Sequence, residues 1–516
     1  MALNQHFVKL NLKSARLRDV LRIAITIAQE CSVEVYLVGG FVRDWLRGIE
    51  STDIDLAVAG DPFEYGRALA RKLRAIFVPM HDAPPVARVV VKRSTPERTI
   101  HIDISAIQGA LECDLRNRDF TINALAIPLD ALSPIAINGT ATEVMVLDVS
   151  TGLEDLHRGV IRPTRVMSEE LFADDPVRML RAFRFAGMLG FNIHQDTLTA
   201  MRRCSHMITR SSWERIRDEF SLTLQSPRGG QLLLMMDEVG LLSQLLPELQ
   251  ELKRVPGEGY HHLDGFHHSI ESVCAVERII ADEDWVESDW EDLGNQLRRG
   301  LRHYIREFNK SWVERRTGVF VLKMSALLHD IAKPHTMQRD EEGDLHFFEH
   351  ERLGSDIAHK ICERFKLSKR ETAGIVRIVR AHMRPLSLAS AKSLTMRALR
   401  RFWLHLDELG MFVIIVSLAD LLATRGVDMT VDYIRRHLHV LLRLLEAYRE
   451  VHALRSRPRL LSGYDVMQRY GVPRGPLIGK ALRAIEEAQL NGRIRTREEA
   501  IALLDELMPK LMGGQR

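Results

Sequence analysis

Residues 37–58 read LVGGFVRDWLRGIESTDIDLAV, and the reading of the whole chain starts from them. Val33–Val38 has the alternating-to-apolar pattern of a strand and stops at Gly39-Gly40. Two glycines after a strand let the backbone approach a phosphate, because no Cβ stands in the way. A helix starting there offers free N–H groups to an anion, and Arg43 can add a bidentate fork. Taken alone, the Gly-Gly pair reads as a plain strand-to-helix turn. Asp53-Ile54-Asp55 opens the next strand, Ile54–Val58. Residues i and i+2 of a strand face one side, so the two carboxylates can share a hard cation such as Mg2+. Two such ions ~3.5–4 Å apart stabilise both the attacking and the leaving oxygen of a displacement. An Asp-x-Asp alone is common on solvated loops; downstream of Gly-Gly-x-x-Arg-Asp it is a better metal site.

Outward from this stretch, the spacing predicts a helix over 15–30, from Leu17, Val20, Leu21, Ala24, Ile25 and Ala28. Val86–Val91 and Thr99–Ile104 read as strands joined by a polar turn at Lys92–Pro96. Phe63–Leu73 and Phe120–Leu125 read as helices beside that sheet. Asp103 is a third carboxylate, as readily a surface acid as a ligand. From about residue 168 the pattern is helical to the end, with breaks at 227–230, 256–259 and 455–459. The charged stretch 281–316 reads as a solvated helical insert.

The chain has 516 residues, 46% hydrophobic and 27% charged, with a formal net charge of +3. At ~150 residues per domain this suggests about three or four domains. The charge balance excludes a uniformly basic coat, so nucleic acid would be held by local patches. Cys31, Cys113, Cys204, Cys274 and Cys362 form no Cys-x-x-Cys pair, which fits reduced thiols in the cytoplasm. The N-terminus lacks the apolar region of a secretory signal. The most apolar run, Met411–Leu418, is too short for a membrane span.

With three further segments a resemblance emerges. Arg118-Asp-Phe-Thr-Ile-Asn-Ala124, Leu156-His-Arg-Gly159 with Ile161-Arg162, and Asp174-Asp-Pro-Val-Arg-Met-Leu-Arg-Ala-Phe-Arg-Phe185 follow in order. Together with residues 37–58 they resemble the signature of the class II nucleotidyltransferases, which are the CCA-adding tRNA nucleotidyltransferases and the bacterial poly(A) polymerases. The resemblance covers about residues 36–190. It implies Asp53 and Asp55 as catalytic Mg2+ ligands. It implies Gly39, Gly40, Arg43 and Arg118 at the triphosphate, and Asp119 and Asn123 near the ribose. It also implies that Asp175 and Arg178 choose the base, with Arg181 reaching the nucleotide.

Read without the family, Asp175 and Arg178 are helix neighbours and an ordinary i,i+3 ion pair. As a template, Asp only accepts and Arg only donates. Cytosine and adenine each present an amino donor beside a ring-nitrogen acceptor; guanine and uracil present a carbonyl where the amine would be. Arg184, nine residues from Asp175, falls on the opposite side at 3.6 residues per turn, so packing or an RNA phosphate is an alternative role. The sequence departs from the family at Asn117-Arg118, usually Arg-Arg, and at Asp174-Asp175, usually Glu-Asp. The segment DISAIQGALECDLRNRDF (103–120) is also shorter than in full CCA-adding members, where a longer flexible loop is implicated in switching from C to A. In this respect the chain resembles CC-adding members.

His268, His329-Asp330 and Asp420 occur in that order, with His350 and His382 between them. Imidazoles and carboxylates suit divalent metals. His329-Asp330-Ile-Ala-Lys-Pro334 resembles the core of HD-superfamily phosphohydrolases. This implies a divalent transition metal on His268, His329, Asp330 and Asp420, with His350 and His382 completing a second position. Leu461–Asp465 and Gly471–Gly479 resemble the tail of the nucleotidyltransferase family, and Arg455, Arg457, Arg459 and Arg474 make a local RNA patch.

The expected fold is α+β. It comprises a mixed-sheet nucleotidyltransferase head (1–155), a helical neck (156–255), an HD metal domain (256–430) and a helical, RNA-binding tail (431–516). The expected partners are tRNA, CTP and ATP, with no membrane. The rival readings are a poly(A) polymerase and a metal phosphohydrolase with a nucleotide-binding head.

Overall fold

The computed structural model describes residues 3–513 apart from 83, 93–98, 166, 309–310, 314–315, 456–459 and 491–492. The turn predicted at Lys92–Pro96 falls largely outside the described residues, as do Arg457 and Arg459 of the basic patch. The chain divides into two compact units, Met1–Ser211 with Glu238–Leu241, and Ser212–Asp237 with Leu242–Arg516.

The first unit is built on one eight-stranded mixed sheet. Its strands are β1 (Asn4–Leu10), β2 (Val35–Val38), β3 (Asp53–Val58), β4 (Ile76–Asp82), β5 (Pro85–Val91), β6 (Ile100–Ala106), β7 (Leu125–Pro128) and β8 (Thr142–Asp148). They lie in the order β1-β8-β7-β2-β3-β6-β5-β4. β3 and β6 run parallel, with Asp55 opposite Asp103. β2 runs antiparallel to β3, with Val38 opposite Asp55. The predicted first helix is α1 (Ala15–Glu30), capped by the Ser14 side chain, which accepts from Leu17 N–H. Leu17, Leu21 and Ala24 of α1 join the core with Leu37, Leu56, Ile102 and Ile104. The helix α2 (Gly39–Leu46) leaves β2 directly at the glycine pair, and α3 (Pro62–Leu73) is capped by Asp61.

The helix expected at Phe120–Leu125 is instead a 3-10 turn, Thr121–Asn123, running into β7. Pairing wins over local pattern there: Leu125–Ile127 is buried, and Ile127 is opposite Leu37 of β2. The short helix α4 (Leu111–Arg116) follows β6 after only residues 107–110. Further on, Ser168–Asp174 and Val177–Leu189 are two helices broken at Asp175-Pro176. Asp175 is extended (φ −146°, ψ 93°), as a residue before proline tends to be. It is therefore not on the helix that carries Arg178.

The second unit is helical apart from short hairpins. The Met411–Leu418 run lies in the helix Leu409–Ala423, buried along nearly its whole length as a core element. Among the described residues no helix is long and apolar enough to cross a membrane. The 281–316 stretch is less solvated than its charge suggests. Trp285, Trp290, Leu297 and Leu301 are buried, as is Arg316, whose guanidinium pairs with Glu371 at 2.6 Å. The last helices, Gly463–Tyr470, Pro476–Leu490 and Arg497–Gly513, share a core of Val466, Ala481, Ile485, Ala500 and Leu504. Ser462 and Asp465 form a capping box at the start of the first, so local helix chemistry accounts for that motif.

Candidate functional site

Every head residue singled out from the sequence except Asp103 lines one cleft of about 530 Å3 in the first unit. Its floor is the junction of β2, β3 and α2. Gly39 has φ +71°, and a Cβ there would stand 2.9 Å from Asp55 Oδ2 and 3.1 Å from an Arg118 nitrogen. Only glycine allows both this backbone and this approach. Gly40 N–H donates to Asp55 Oδ2 at 3.2 Å. Burial, with Asp103 and Asp53 nearby, pushes the Asp55 carboxyl up to about 6, against the pull of Arg118. A desolvated carboxylate facing others is what a hard cation neutralises, so the donor set fits a divalent ion. Asp103 adds to that field, but both its oxygens are held by Arg88 at 2.6 and 2.7 Å.

The nucleotide-side residues form one hydrogen-bonded chain. Arg43 directs its fork at its neighbour Asp44, at 2.9 and 2.8 Å, and its other nitrogen donates to Asn123 Oδ1 at 2.8 Å. Asn123 donates to Asp119 at 3.0 Å, and Asp119 holds Arg181 at 2.7 Å. Burial works against the Asp119 charge, but Arg181, Asn123 and the Phe120 N–H keep its carboxyl below the usual range. A buried polar chain of this kind is rigid when its members are satisfied. Arg43 thus lines the cleft with its fork on the Asp44 carboxylate. Phe185 stands among Arg43, Arg181 and Arg184, whose guanidinium carbons lie 5.2, 5.9 and 4.5 Å from its ring centre. Arg184 lines the same cleft as Asp175, contrary to the angular count. That count assumed a single helix through both, and the break at Asp175-Pro176 removes the common axis. Arg178 donates to the Asn117 carbonyl at 3.1 Å, and its other terminal nitrogen is buried with no hydrogen-bond partner among the described residues. Phe185's place among the arginines had no signal beyond its position at the end of the Asp174–Phe185 motif.

In the second unit two groups can each hold a metal: His268, His329 and Asp420, and Asp330, His350 and His382. Asp330 links them, with Oδ2 3.2 Å from His329 Nε2 and Oδ1 3.4 Å from His350 Nε2. His329, His350 and His382 each donate Nδ1–H to a main-chain carbonyl, of Ala326, Phe347 and Val379. This fixes the tautomer and turns Nε2 inward, as metal-binding histidines require. Burial opposes charge on both His329 and His382. Asp330 and Asp420 overcome it at His329, pushed up to about 10, while His329 and His350 add to it at His382, pushed down to about 3. Two residues not singled out from the sequence stand beside the ligands. Lys333 Nζ is 2.6 Å from Asp330 Oδ2 and 3.4 Å from His261 Nε2. Lys333 is one helical turn past the His-Asp pair, a spacing that marks it; His261, just after the break at 256–259, carried no signal.

Family models match in three places: the poly A polymerase head domain at residues 35–162, the probable RNA and SrmB-binding site of polymerase A at 190–253, and the HD domain at 265–425. An A-adding tRNA nucleotidyltransferase of Deinococcus radiodurans is 31% identical over 484 residues, covering 93% of this chain and 96% of that protein. The chain belongs to the tRNA nucleotidyltransferase and poly(A) polymerase family, with an HD domain. A CC-adding member from Thermus thermophilus is 32% identical over 91% of this chain and 93% of its own length. Among solved structures, the apo form of a CCA-adding enzyme superposes with a TM-score of 0.57 at 21% identity, covering 95% of this chain and 94% of that one. The Thermotoga maritima CCA-adding enzyme complexed with tRNA gives 0.54 at 21% identity, covering 99% and 100%. These likenesses establish a shared fold across the family.

Proposed function

We propose that this chain transfers CMP and/or AMP from CTP or ATP to the 3′-hydroxyl of tRNA, with release of pyrophosphate. The observation that carries this is the meeting, in one cleft, of the Asp53/Asp55 pair, the Gly39-Gly40 turn, Asp175 and Arg178. Asp53 and Asp55 would hold Mg2+, which would supply Lewis-acid stabilisation of the developing charge on oxygen. Gly40 N–H and Asp55 fix the floor, and Arg118 lies over it beside the triphosphate. The Asp119–Asn123–Arg43 chain holds the ribose side. Arg178's unpartnered nitrogen donates to a ring nitrogen of the base, and Asp175 accepts from its amine. The reading extends to the domain limits 1–155, 156–255, 256–430 and 431–516, and to a cytoplasmic location.

The four-residue link at 107–110 favours an enzyme that stops at CC, since no long lid is there to reposition the site for A. The Deinococcus relative supports A addition as the second reading. The six-ligand centre of the HD domain hydrolyses phosphate esters with a divalent transition metal, and exposed Arg474 contributes to the RNA surface of the tail. The test is Asp53→Ala: nucleotide addition is lost and metal-dependent ester hydrolysis is kept. Retained addition would overturn the assignment of the head.

A further inference from the structure

Two cavities meet at the HD centre, one of about 530 Å3 and one of about 410 Å3. They share a wall formed by Tyr260, His261, Lys333 and Phe347. The larger reaches His268 of the first ligand group; the smaller reaches Asp330, His350 and Asp420. Lys333 lines both, so its ammonium stands where a phosphoryl group bound at the centre would be met from either side.

The chambers differ in chemistry. The smaller is lined by two stacked aromatic pairs, whose Phe348 and Tyr433 belong to it alone while His346 and Tyr260 also line the larger. Phe348, 66% exposed, lies on His346 with ring centres 5.3 Å apart and planes at 13°. Tyr260, 47% exposed, lies on Tyr433 at 5.0 Å and 30°. Exposed ring faces at a cavity mouth are platforms for successive bases of a single strand. Away from the ligand groups the larger chamber carries Asp344 and Asp428, and Glu258, whose oxygens are held by Arg339 at 2.9 and 3.1 Å. Carboxylates repel a further phosphate and accept from base amines, so this chamber suits one terminal nucleoside and not a continuing chain.

We propose, on the reading that this centre hydrolyses phosphate esters, that its substrate is a linear phosphodiester at the end of an RNA strand. The phosphate lies at Lys333, the terminal nucleoside fills the acidic chamber, and the strand leaves over Tyr260 and Phe348. A monoester has one arm and leaves a chamber to water. In the reaction, water's oxygen bonds to phosphorus and the bond to one ester oxygen breaks. One water proton ends on that leaving oxygen, and the other is released as the new monoester ionises.

The test uses the full chain and the dinucleotide UpU. First, UpU carrying 5-iodouracil at both positions is photo-crosslinked to metal-free protein and the adducts are mapped by mass spectrometry. Adducts at Tyr260 or Phe348 together with adducts in the acidic chamber are expected; adducts confined to the head overturn the proposal. Second, Mn2+-loaded protein is given UpU and p-nitrophenyl phosphate. UpU is expected to be cleaved faster, with KM raised about tenfold by Phe348→Ala, in line with ~1–3 kcal/mol per stacked base, and p-nitrophenyl phosphate turnover unchanged. Tyr260→Ala is the second variant, with the same rise in KM for UpU expected; an unchanged KM in both variants overturns the strand path. Cleavage of the monoester alone overturns the diester proposal and leaves the phosphohydrolase reading standing. Cleavage of neither, with Mn2+ bound, overturns that reading itself.

Discussion

Replacing Asp55 by Asn should stabilise the head while destroying its activity. Asp55 is pushed up to about 6 from an ordinary 3.8, chiefly by burial and by the neighbouring carboxylates. A carboxyl whose folded-state pKa lies above its unfolded value opposes folding when ionised. The penalty is full above about pH 6, shrinks as pH falls through 6, and is gone below about 3.8. About two pKa units correspond to about 3 kcal/mol at ~1.36 kcal/mol per unit. Asn keeps the shape and can still accept from Gly40 N–H, so it removes the penalty without opening a cavity. At pH 8 in EDTA, Asp55→Asn should slow hydrogen exchange of the β2 and β3 amides up to about 100-fold in protection factor, a ceiling set by that free energy. At pH 4 the difference should nearly vanish. Added Mg2+ should narrow the gap at pH 8, because it stabilises only the protein that binds it. Nucleotide addition should be absent throughout. Equal or faster exchange in the variant at pH 8, or the same gain at pH 4, would refute the claim that Asp55 is a strained carboxylate awaiting a cation.

Other substitutions separate the parts. Gly39→Ala places a Cβ 2.9 Å from Asp55 Oδ2 and costs roughly 1–2 kcal/mol of left-handed strain; kcat for addition should fall at least ~10-fold, the cost of ~1.4 kcal/mol in the barrier, and a wild-type kcat would contradict the floor geometry. Asp175→Ala should cut the preference for CTP over UTP by about 10- to 100-fold, the range of ~1–3 kcal/mol for a paired base contact, as read from competing single-nucleotide additions. His329→Ala should lower bound transition metal per chain, measured by elemental analysis, and abolish ester hydrolysis while addition continues.

The sequence was most legible where local rules and fold agree. The helix Ala15–Glu30 is a periodic stripe with a serine cap, and its ends are those expected. The acid pair and glycine turn were readable because strand alternation and glycine geometry are local properties. What escaped depended on distant partners. The helix expected at Phe120–Leu125 is a 3-10 turn, and β7 after it went unread because its place is set by β2, about ninety residues upstream in the chain's numbering. β1 and β8 pair across nearly the whole head; β1 is mostly exposed and polar, and β8, though apolar at Val144–Leu147, went unread as its partner. Arg184 was turned away from the cleft by a helical count that a proline break invalidates. Arg43, expected beside the triphosphate, lines the cleft with its nitrogens on Asp44 and Asn123, and the Asn123 pairing across eighty residues is visible only in three dimensions. The six residues of the two candidate metal groups were all named from the sequence, because the His-Asp pair anchors the search; Lys333 shares that pair's spacing, and His261 became relevant only once the fold set it beside them.

The most direct test is to offer the protein tRNA transcripts ending at the discriminator base, in C and in CC, with CTP and ATP singly and together, and to read the 3′ ends. The account predicts CMP addition to the first two transcripts, stopping at CC, with nothing added to the third. AMP added to the CC end would contradict the short-link argument, and no nucleotide added to any transcript would contradict the central claim that this cleft extends tRNA.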